Sequence, residues 1–454
     1  MTQLLRAREG TITDEMRQAA ARDSADPEHL RRAIAEGRAV LPANRHRSRP
    51  RPCAIGEGLP TKVNANIGTS GDYPYPDKEL GKLAAAEEAG ADTVMDLSTG
   101  GDLVAIRQAI LDRTALPVGT VPIYDAGTRA IREAGSIRAM TADGILGTVR
   151  AHAEQGVDFV TVHCGVTRAV VDTLVAHGRV CGMVSRGGTF LAAWVRCHGQ
   201  ENPLYERFDE VLGIAREHDV TLSLGDGLRP GALADAFDAA QVHELVVMAE
   251  LAERARQAGV QVMIEGPGHV PLHQVEAQVR LQKELCKGAP FYVLGPLVTD
   301  IAPGYDHVSA AIGGALAAGA GADFLCYVTP AEHLALPNAD HVRQGVMAAR
   351  VAAHAGDIAK GIPGAAERDR ELSRRRRRRD WQGQLELCLD PKLAAALRQE
   401  AAPADEKTCS MCGEFCVFKI ADEQEGRPGP SRGGAPAHDA GPASAPSRSS
   451  AHKE

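Results

Sequence analysis

Three cysteines of the 454-residue chain lie close together near its C-terminus, as Cys409-x-x-Cys412-x-x-x-Cys416 in the sequence CSMCGEFC. Three thiolates on one tight loop can hold three irons of a four-iron cluster and leave the fourth iron open. In radical enzymes such an iron binds and reduces S-adenosylmethionine. The competing interpretation is a structural zinc site, which normally takes four protein ligands, and the closest following histidine is His438. The loop therefore favours a [4Fe-4S] cluster, with a zinc site as the alternative.

Two histidines follow predicted strands in the motifs EGPGHVP and PAEHLALP, which contain His269 and His333. Two imidazoles that leave the other positions to water or substrate describe an open, reactive metal site. A single histidine of this kind is usually an ordinary loop residue. The shared metal site is therefore a hypothesis beside a plain structural interpretation.

Two glycine-containing motifs, SRGG and GDGLRP, place Arg186 and Arg229 just after predicted strands. Glycine lets backbone amides approach an oxyanion, and arginine can bind a phosphate through two hydrogen bonds. Glycine-rich turns follow many barrel strands, so neither motif is specific by itself. Together they favour a phosphorylated substrate.

From residue 60 to about 345, short apolar runs alternate with longer helical patterns, which is typical of a parallel sheet with crossover helices. The runs predict an α/β fold, an eight-stranded (β/α)8 TIM-type barrel, with one of nine candidates as an extra strand. The candidate strands are 62–68, 92–97, 117–123, 158–164, 182–187, 220–227, 260–266, 291–297 and 323–329.

Polar residues are concentrated at the carboxyl ends of these candidate strands. They are Asn66, Asp96, Tyr124, His163, Ser185, Arg186, Asp226, Glu265 and His269. In a barrel these ends meet at one face, where catalytic groups lie. Strand-to-loop junctions are often polar for other reasons. That general tendency explains any one of these residues well, but it explains the whole set less well.

The sequence predicts four segments: a short N-terminal cap (1–59), the catalytic barrel (60–345), a C-terminal helical arm with the cysteine loop (346–420) and a tail (421–454). The tail is rich in Pro, Gly, Ser and Ala and is predicted to be disordered. A six-arginine run, Arg374 to Arg379, is interpreted as a solvated helix face and not as a nucleic-acid site.

The composition excludes several classes of protein. The formal net charge of -8 disfavours nucleic acid and anionic membranes as partners. No uncharged apolar stretch reaches the ~18 residues that a membrane span needs, and the start of the chain has no apolar signal region. Seven further cysteines are scattered singly, which suits a reducing compartment. We therefore expect a cytoplasmic protein without membrane or nucleic-acid partners.

A series of motifs in this order resembles the phosphomethylpyrimidine synthase family (ThiC type) from residue 1 to about residue 420. The motifs are VNANIGTS, ADTVMDLSTGGDL, PVGTVPIYDA, SRGGTFLAAW, ENPLYERFDE, EGPGHVP, LGPLVTDIAPGYDH, LCYVTPAEHL and CSMCG. The resemblance implies a radical S-adenosylmethionine carbon-carbon lyase that converts 5-aminoimidazole ribotide to 4-amino-5-hydroxymethyl-2-methylpyrimidine phosphate in thiamine biosynthesis. One departure is the spacing between the last two cysteines, which is three residues here and four in longer members of the family.

The resemblance also implies a set of site residues. Contacts to the ribotide are implied for Asn66, Met95, Tyr124, His163, Ser185, Arg186, Gly187, Asp226, Gly227, Leu228, Arg229, Glu265 and Tyr292. His269 and His333 would bind zinc or another divalent metal, and Cys409, Cys412 and Cys416 would bind the [4Fe-4S] cluster. No catalytic residue is assigned.

The partners implied are an electron donor such as flavodoxin or ferredoxin and a second copy of the chain in a homodimer. The cysteine loop is expected to act as a mobile lid, docking on the partner subunit. Three alternatives stay open: 5-hydroxybenzimidazole synthase, which acts on the same ribotide to make the lower base of cobamides; a metal-dependent barrel lyase or hydrolase with a zinc-bound cysteine loop; and, least favoured, a non-catalytic binding module.

Overall fold

The computed structural model describes residues 1–47 and 51–424. The chain divides into two compact units between Asp369 and Arg370. The boundary predicted at 345 falls inside a helix that runs from Ala339 to Lys360 and packs on the barrel. Residues 421–424 of the predicted tail end a helix, and the rest of that tail lies outside the described residues.

Eight parallel strands close into a barrel in the order β10-β3-β4-β5-β6-β7-β8-β9, which confirms the predicted (β/α)8 fold. Closure is made by β10, which pairs with β9 on one side and with β3 on the other. The strands are β1 (Ala39–Val40), β2 (Ile55–Gly56), β3 (Lys62–Ile67), β4 (Thr93–Asp96), β5 (Val118–Thr120), β6 (Phe159–Val162), β7 (Thr221–Leu224), β8 (Val262–Gly266), β9 (Phe291–Leu294) and β10 (Phe324–Cys326).

Helices between and after the barrel strands of the first unit cover the outside of the barrel. The described α-helices are α1 (Gln3–Arg8), α2 (Asp14–Arg22), α3 (Pro27–Ala35), α4 (Pro76–Ala89), α5 (Leu103–Arg113), α6 (Pro122–Ala134), α7 (Ala142–Gln155), α8 (Arg168–His177), α9 (Arg186–His198), α10 (Pro203–Glu206), α11 (Phe208–His218), α12 (Ala239–Gln257), α13 (Val275–Leu285), α14 (Asp306–Ala320), α15 (Ala339–Lys360), α16 (Ala365–Arg377), α17 (Trp381–Leu387), α18 (Pro391–Glu400) and α19 (Val417–Gln424). None of them is long and apolar enough to cross a membrane, as far as the described residues go.

One of the nine candidate strands, 182–187, is not a strand. Its residues form a loop that ends at Ser185, the N-cap of α9, whose Oγ accepts the backbone N–H of Gly188 at 3.2 Å. Serine is a strong N-cap residue, and this local hydrogen bond starts a helix where the apolar pattern had predicted a strand. A second predicted strand, 117–123, ends early because Pro122 begins α6. Tyr124 therefore lies in the first turn of a helix.

The N-terminal segment forms a cap with its own apolar core. Helices α1 to α3 and the antiparallel pair β1 and β2 bury a separate set of side chains that includes Leu4, Met16 and Leu30. Thr2 Oγ1 donates to the carbonyl of Gly259, just before β8. Because Gly259 lies at the amino end of its strand, the cap covers the end of the barrel opposite to the strand carboxyl ends.

Candidate active site

A cavity of about 550 Å³ opens at the carboxyl ends of the barrel strands. The cavity is lined by nine of the thirteen predicted ribotide residues, namely Asn66, Met95, Tyr124, His163, Arg186, Asp226, Arg229, Glu265 and Tyr292. This volume is within the usual range for small-molecule sites. The structure therefore brings side chains from most of the barrel strands and their loops to one place, as the sequence predicted.

On one wall, amide and hydroxyl groups hold each other in place. Asn64 Nδ2 donates to Asn66 Oδ1 at 2.7 Å and to Tyr292 Oη at 2.8 Å. Tyr292 Oη in turn lies 3.5 Å from Met95 Sδ. Burial raises the pKa of Tyr292 well above its usual value, so its phenol stays protonated. This wall presents neutral polar groups at fixed positions.

Carboxyl groups lie next to this wall, since Glu265 on β8 is the strand neighbour of Tyr292 on β9. Glu265 Oε1 accepts the hydroxyl groups of Thr161 at 2.7 Å and Ser223 at 3.0 Å. Burial raises the pKa of Glu265, and it raises the pKa of Asp226 well above the usual range. The nearby Arg229 guanidinium opposes both shifts. Burial therefore favours the protonated form of both carboxyl groups, while Arg229 favours the charged form.

Two arginines reach the cavity from adjacent loops. Arg229 Nη1 lies 3.6 Å from Asp226 Oδ1. The Arg186 guanidinium lies over the Tyr124 ring, 5.0 Å from its centroid. Both arginines line the same cavity, although they come from separate motifs. Their convergence is the arrangement that an anionic group of a ligand would need.

His163 lies in a packed environment between two glycine loops. Its Nε2 is 3.2 Å from Ser185 Oγ. A Cβ at Gly187 would come within 2.3 Å of the His163 ring, and a Cβ at Gly225 within 2.8 Å of it. Burial and the positive charge of Arg229 lower the pKa of His163 to about 3, so the imidazole is neutral. Glycine is required in both loops because the ring takes the space of any side chain.

The remaining predicted residues support the cavity from behind and do not line it. Gly227 and Leu228 donate their backbone N–H groups to Glu244, at 2.9 Å to Oε1 and 2.8 Å to Oε2. Glu244 is fully buried on α12, and burial raises its pKa to about 8. No signal in the sequence indicated Glu244 beyond one acidic residue within a helical pattern, and its role is seen only in the tertiary contact.

Other residues line the cavity without having been predicted. Tyr327 Oη donates to the Asn66 carbonyl at 2.6 Å, and Cys326 Sγ accepts Asn66 Nδ2 at 3.0 Å. Glu332 is also at the cavity, and burial raises its pKa. All three lie in the motif LCYVTPAEHL, so their place after the last strand was a signal that could have found them. Asp96, one of the predicted strand-end residues, accepts the N–H of Ser98 at 3.0 Å and does not line the cavity.

His269 and His333 lie side by side, with ring centroids 5.2 Å apart. Each Nδ1 lies 2.8 Å from a carboxylate oxygen, of Asp300 for His269 and of Asp306 for His333. A carboxylate only accepts, so each Nδ1 carries the proton and each Nε2 keeps a lone pair. Metal-binding histidines are commonly oriented in this way by a carboxylate. The pair therefore fits one divalent metal with further positions open.

In the C-terminal unit, Cys409 and Cys412 share one turn, and Cys416 follows a short 3-10 helix, Gly413–Phe415. The backbone N–H groups of Cys412 and Met411 lie near the Cys409 sulfur and lower the pKa of that thiol. Cys409 and Cys412 also share a hydrogen bond between their sulfurs. Within the described ranges, no three His, Cys, Asp or Glu side chains are already gathered around one point. The donor set itself, three thiols with one favoured as thiolate, suits iron.

The model of the radical SAM ThiC family matches residues 2–423 of this chain. The chain belongs to this family. Phosphomethylpyrimidine synthases of Dehalococcoides mccartyi strain BAV1, Desulforamulus reducens and Moorella thermoacetica are 58%, 55% and 56% identical to it. Each alignment covers 94% of this chain and 99% of the relative.

Membership of this family makes the chain a radical SAM enzyme, which implies S-adenosylmethionine and an iron–sulfur cluster as cofactors. The binding-module alternative is therefore wrong, and the assignment of the cluster to the cysteine loop stays a prediction. The names of these relatives do not support the 5-hydroxybenzimidazole synthase alternative.

Proposed function

We propose that the chain is a phosphomethylpyrimidine synthase that converts 5-aminoimidazole ribotide to 4-amino-5-hydroxymethyl-2-methylpyrimidine phosphate. The observation that carries this proposal is the single cavity in which two arginines, two buried carboxyl groups and an amide and phenol wall meet. The identity to relatives of that name, over almost their full length, supports the same reaction.

The two ends of the ribotide would find different partners in the cavity. Arg186 and Arg229 suit the phosphate, since each can donate charged hydrogen bonds. The wall with Asn66 and Tyr292 suits the ring nitrogens and the amino group of the imidazole, because amide and phenol groups both donate and accept. The buried carboxyl of Glu265 would hold or accept a proton at Oε2, because Oε1 already accepts two hydroxyl groups.

Cys409, Cys412 and Cys416 would hold the [4Fe-4S] cluster, and His269 and His333 would hold zinc or another divalent metal. The cluster and S-adenosylmethionine, when bound, supply the radical chemistry. The electron that this chemistry needs would come from an acidic one-electron carrier such as flavodoxin or ferredoxin. The barrel residues bind and orient the ribotide and exclude water from it.

An apolar stripe on α14 supports a homodimer. Tyr305, Val308, Ile312 and Leu316 recur at helical spacing, and each is 45% exposed or more. Such a stripe on a barrel helix is typical of a protein–protein contact. A second copy of the chain is the occupant that we propose for it.

The test is turnover by the full-length protein, reconstituted with iron and sulfide without oxygen and supplied with S-adenosylmethionine, a reductant and 5-aminoimidazole ribotide. The expected product is the phosphorylated pyrimidine, identified by mass spectrometry against a synthetic standard. A different heterocycle, or no conversion by protein with full cluster content, would refute the proposal. Omission of the ribotide is the control for background cleavage of S-adenosylmethionine.

A further inference from the structure

Only one of the two carboxyl oxygens of Asp226 has a partner within residues 1–47 and 51–424. Its Oδ1 lies 3.6 Å from Arg229, while its Oδ2 is buried and has no hydrogen-bond partner among the described residues. The whole residue is 5% exposed. Leaving a buried carboxyl oxygen without a donor is costly, because the oxygen loses its hydration and gains nothing in return. A donor at Oδ2 is therefore expected.

A second, small cavity lies behind the main one and also has Asp226 in its wall. Its volume is about 20 Å³, and its other polar lining residues include Gln241, Glu244 and Gln278. One water molecule needs about 10 to 15 Å³ of such volume and two or more polar partners. We refer to this space as the rear cavity.

A chain of hydrogen bonds fixes the orientation of the Gln278 amide at the rear cavity. The backbone N–H of Phe237, which can only donate, is 2.7 Å from Gln241 Oε1. Gln241 Nε2 then donates to Gln278 Oε1 at 2.8 Å. Gln278 Nε2 must therefore be the free donor, and this buried atom has no partner in the described part of the chain.

We propose that one internal water in the rear cavity accepts a hydrogen bond from Gln278 Nε2 and donates one to Asp226 Oδ2. Gln278 is then a positioning residue for Asp226, acting from α13 without touching the ligand. The unpaired donor and the unpaired acceptor line one cavity of the right size, and a water satisfies both. The water holds the Asp226 carboxyl beside Arg229 in the main cavity.

The first test is a high-resolution crystal structure of the wild-type protein without ribotide. We expect an ordered water within hydrogen-bond distance of both Gln278 Nε2 and Asp226 Oδ2. A rear cavity without that water, or a water that contacts neither atom, would overturn the proposal. This result does not depend on which substrate the enzyme takes.

The second test is kinetic and rests on the proposed function. Gln278→Leu removes the donor, so the KM for the ribotide should rise about ten-fold, as expected when the water that orients the Asp226 carboxyl loses a hydrogen bond. The value of kcat should stay within about two-fold, since the binding arrangement changes and the chemistry does not. Gln241→Leu should give the same split because it releases the Gln278 amide, whereas Gln257→Leu on the exposed end of α12 should change neither constant.

An unchanged KM in both Gln278→Leu and Gln241→Leu, or a fall in kcat at constant KM, would contradict a positioning role. Melting temperatures of the variants separate a folding defect from a binding defect. If the wild-type protein does not convert the ribotide, the proposed function fails, and the crystal structure still decides whether the water is there.

Discussion

At the scale of single residues, the two arginines of the cavity indicate most clearly which kind of ligand binds there. Arg186 lies against the Tyr124 ring and Arg229 beside Asp226, so both guanidinium groups are held in place before a ligand arrives. Preorganised charged donors discriminate a phosphorylated ligand from the same ligand without phosphate.

We expect Arg229→Gln and Arg186→Gln each to weaken ribotide binding by about 1.5 to 3 kcal/mol, the usual contribution of a hydrogen bond between charged groups. Isothermal titration of the protein without S-adenosylmethionine measures this effect. Arg196→Gln, on the exposed end of α9, is the matched control. Wild-type affinity in both cavity variants would contradict a phosphate site at this position.

A second prediction concerns stability and rests on His152, which is buried on α7. Its Nδ1 is 2.8 Å from Thr120 Oγ1 and its Nε2 is 3.3 Å from Asp125 Oδ2. Burial lowers its pKa to about 4, with the charge of Arg107 acting in the same direction. Between that pKa and the unfolded value near 6.5, the unfolded chain binds the proton and the folded chain does not.

Stability is therefore lost as the pH falls from about 6.5 towards 4, and His152 alone should account for about 2 kcal/mol of that loss at pH 5. His152→Gln keeps polar atoms near both partners but removes the titration. Its melting temperature should fall less than that of the wild type between pH 7.5 and 5. Equal slopes for the two proteins would refute this assignment.

The sequence alone predicted which residues lie at the carboxyl ends of the barrel strands. The repeat of strands and helices along the chain sets where each strand ends and therefore which residues reach that end of the barrel. The sequence could not predict Glu244 or Gln278. Both lie within helices, and they matter through contacts with loops that are distant in sequence. Backbone and side-chain partners of this kind leave no mark on local periodicity or spacing.

At the scale of elements, the sequence predicted all eight barrel strands and one that does not exist. The run 182–187 has the apolar content of a strand, but Ser185 and the glycines after it favour a helix start. The helix cap forms here instead of a strand. The loop also places Gly188 against Gly227, where a Cβ would come within 2.5 Å of the facing backbone. Apolar content is therefore a weaker predictor here than a cap followed by close packing.

The cysteine loop is the element that we propose as the holder of the iron–sulfur cluster. We expect Cys409→Ala, Cys412→Ala and Cys416→Ala each to abolish iron and sulfide loading, since each removes one of the three proposed ligands. Affinity for the ribotide should be unchanged in the same variants because its partners are all in the barrel. Cys388→Ala, in the same unit, is the control and should load iron normally.

Iron content and titration with the ribotide measure the two outcomes independently. Full iron loading in any one of the three variants would show that this cysteine is not a ligand. The same experiment addresses the shortened spacing between the last two cysteines, because a loop that loads iron fully accommodates that spacing.

At the scale of the whole molecule, the apolar stripe on α14 predicts the assembly. Ile312→Asp places a charge at the middle of the stripe and should convert the proposed dimer to a monomer, since an unpaired buried charge strongly disfavours association. Sedimentation velocity measures the change. Ile131→Asp, on an exposed position of α6, should leave the assembly as it is. The same mass for the Ile312 variant and the wild type would place the interface elsewhere.

The pairing of β3 with β10 has a consequence for how the protein is made. Asn66 is anchored by Cys326 and Tyr327, which follow it by 260 and 261 positions along the chain. A ribosome synthesises the chain from the N-terminus at about 5 to 20 residues per second. One edge of β3 therefore stays unpaired until β10 has been synthesised. An open strand edge is a site of mispairing during that time. A nascent chain that stops before residue 326 therefore offers chaperones an exposed edge and has no completed pocket.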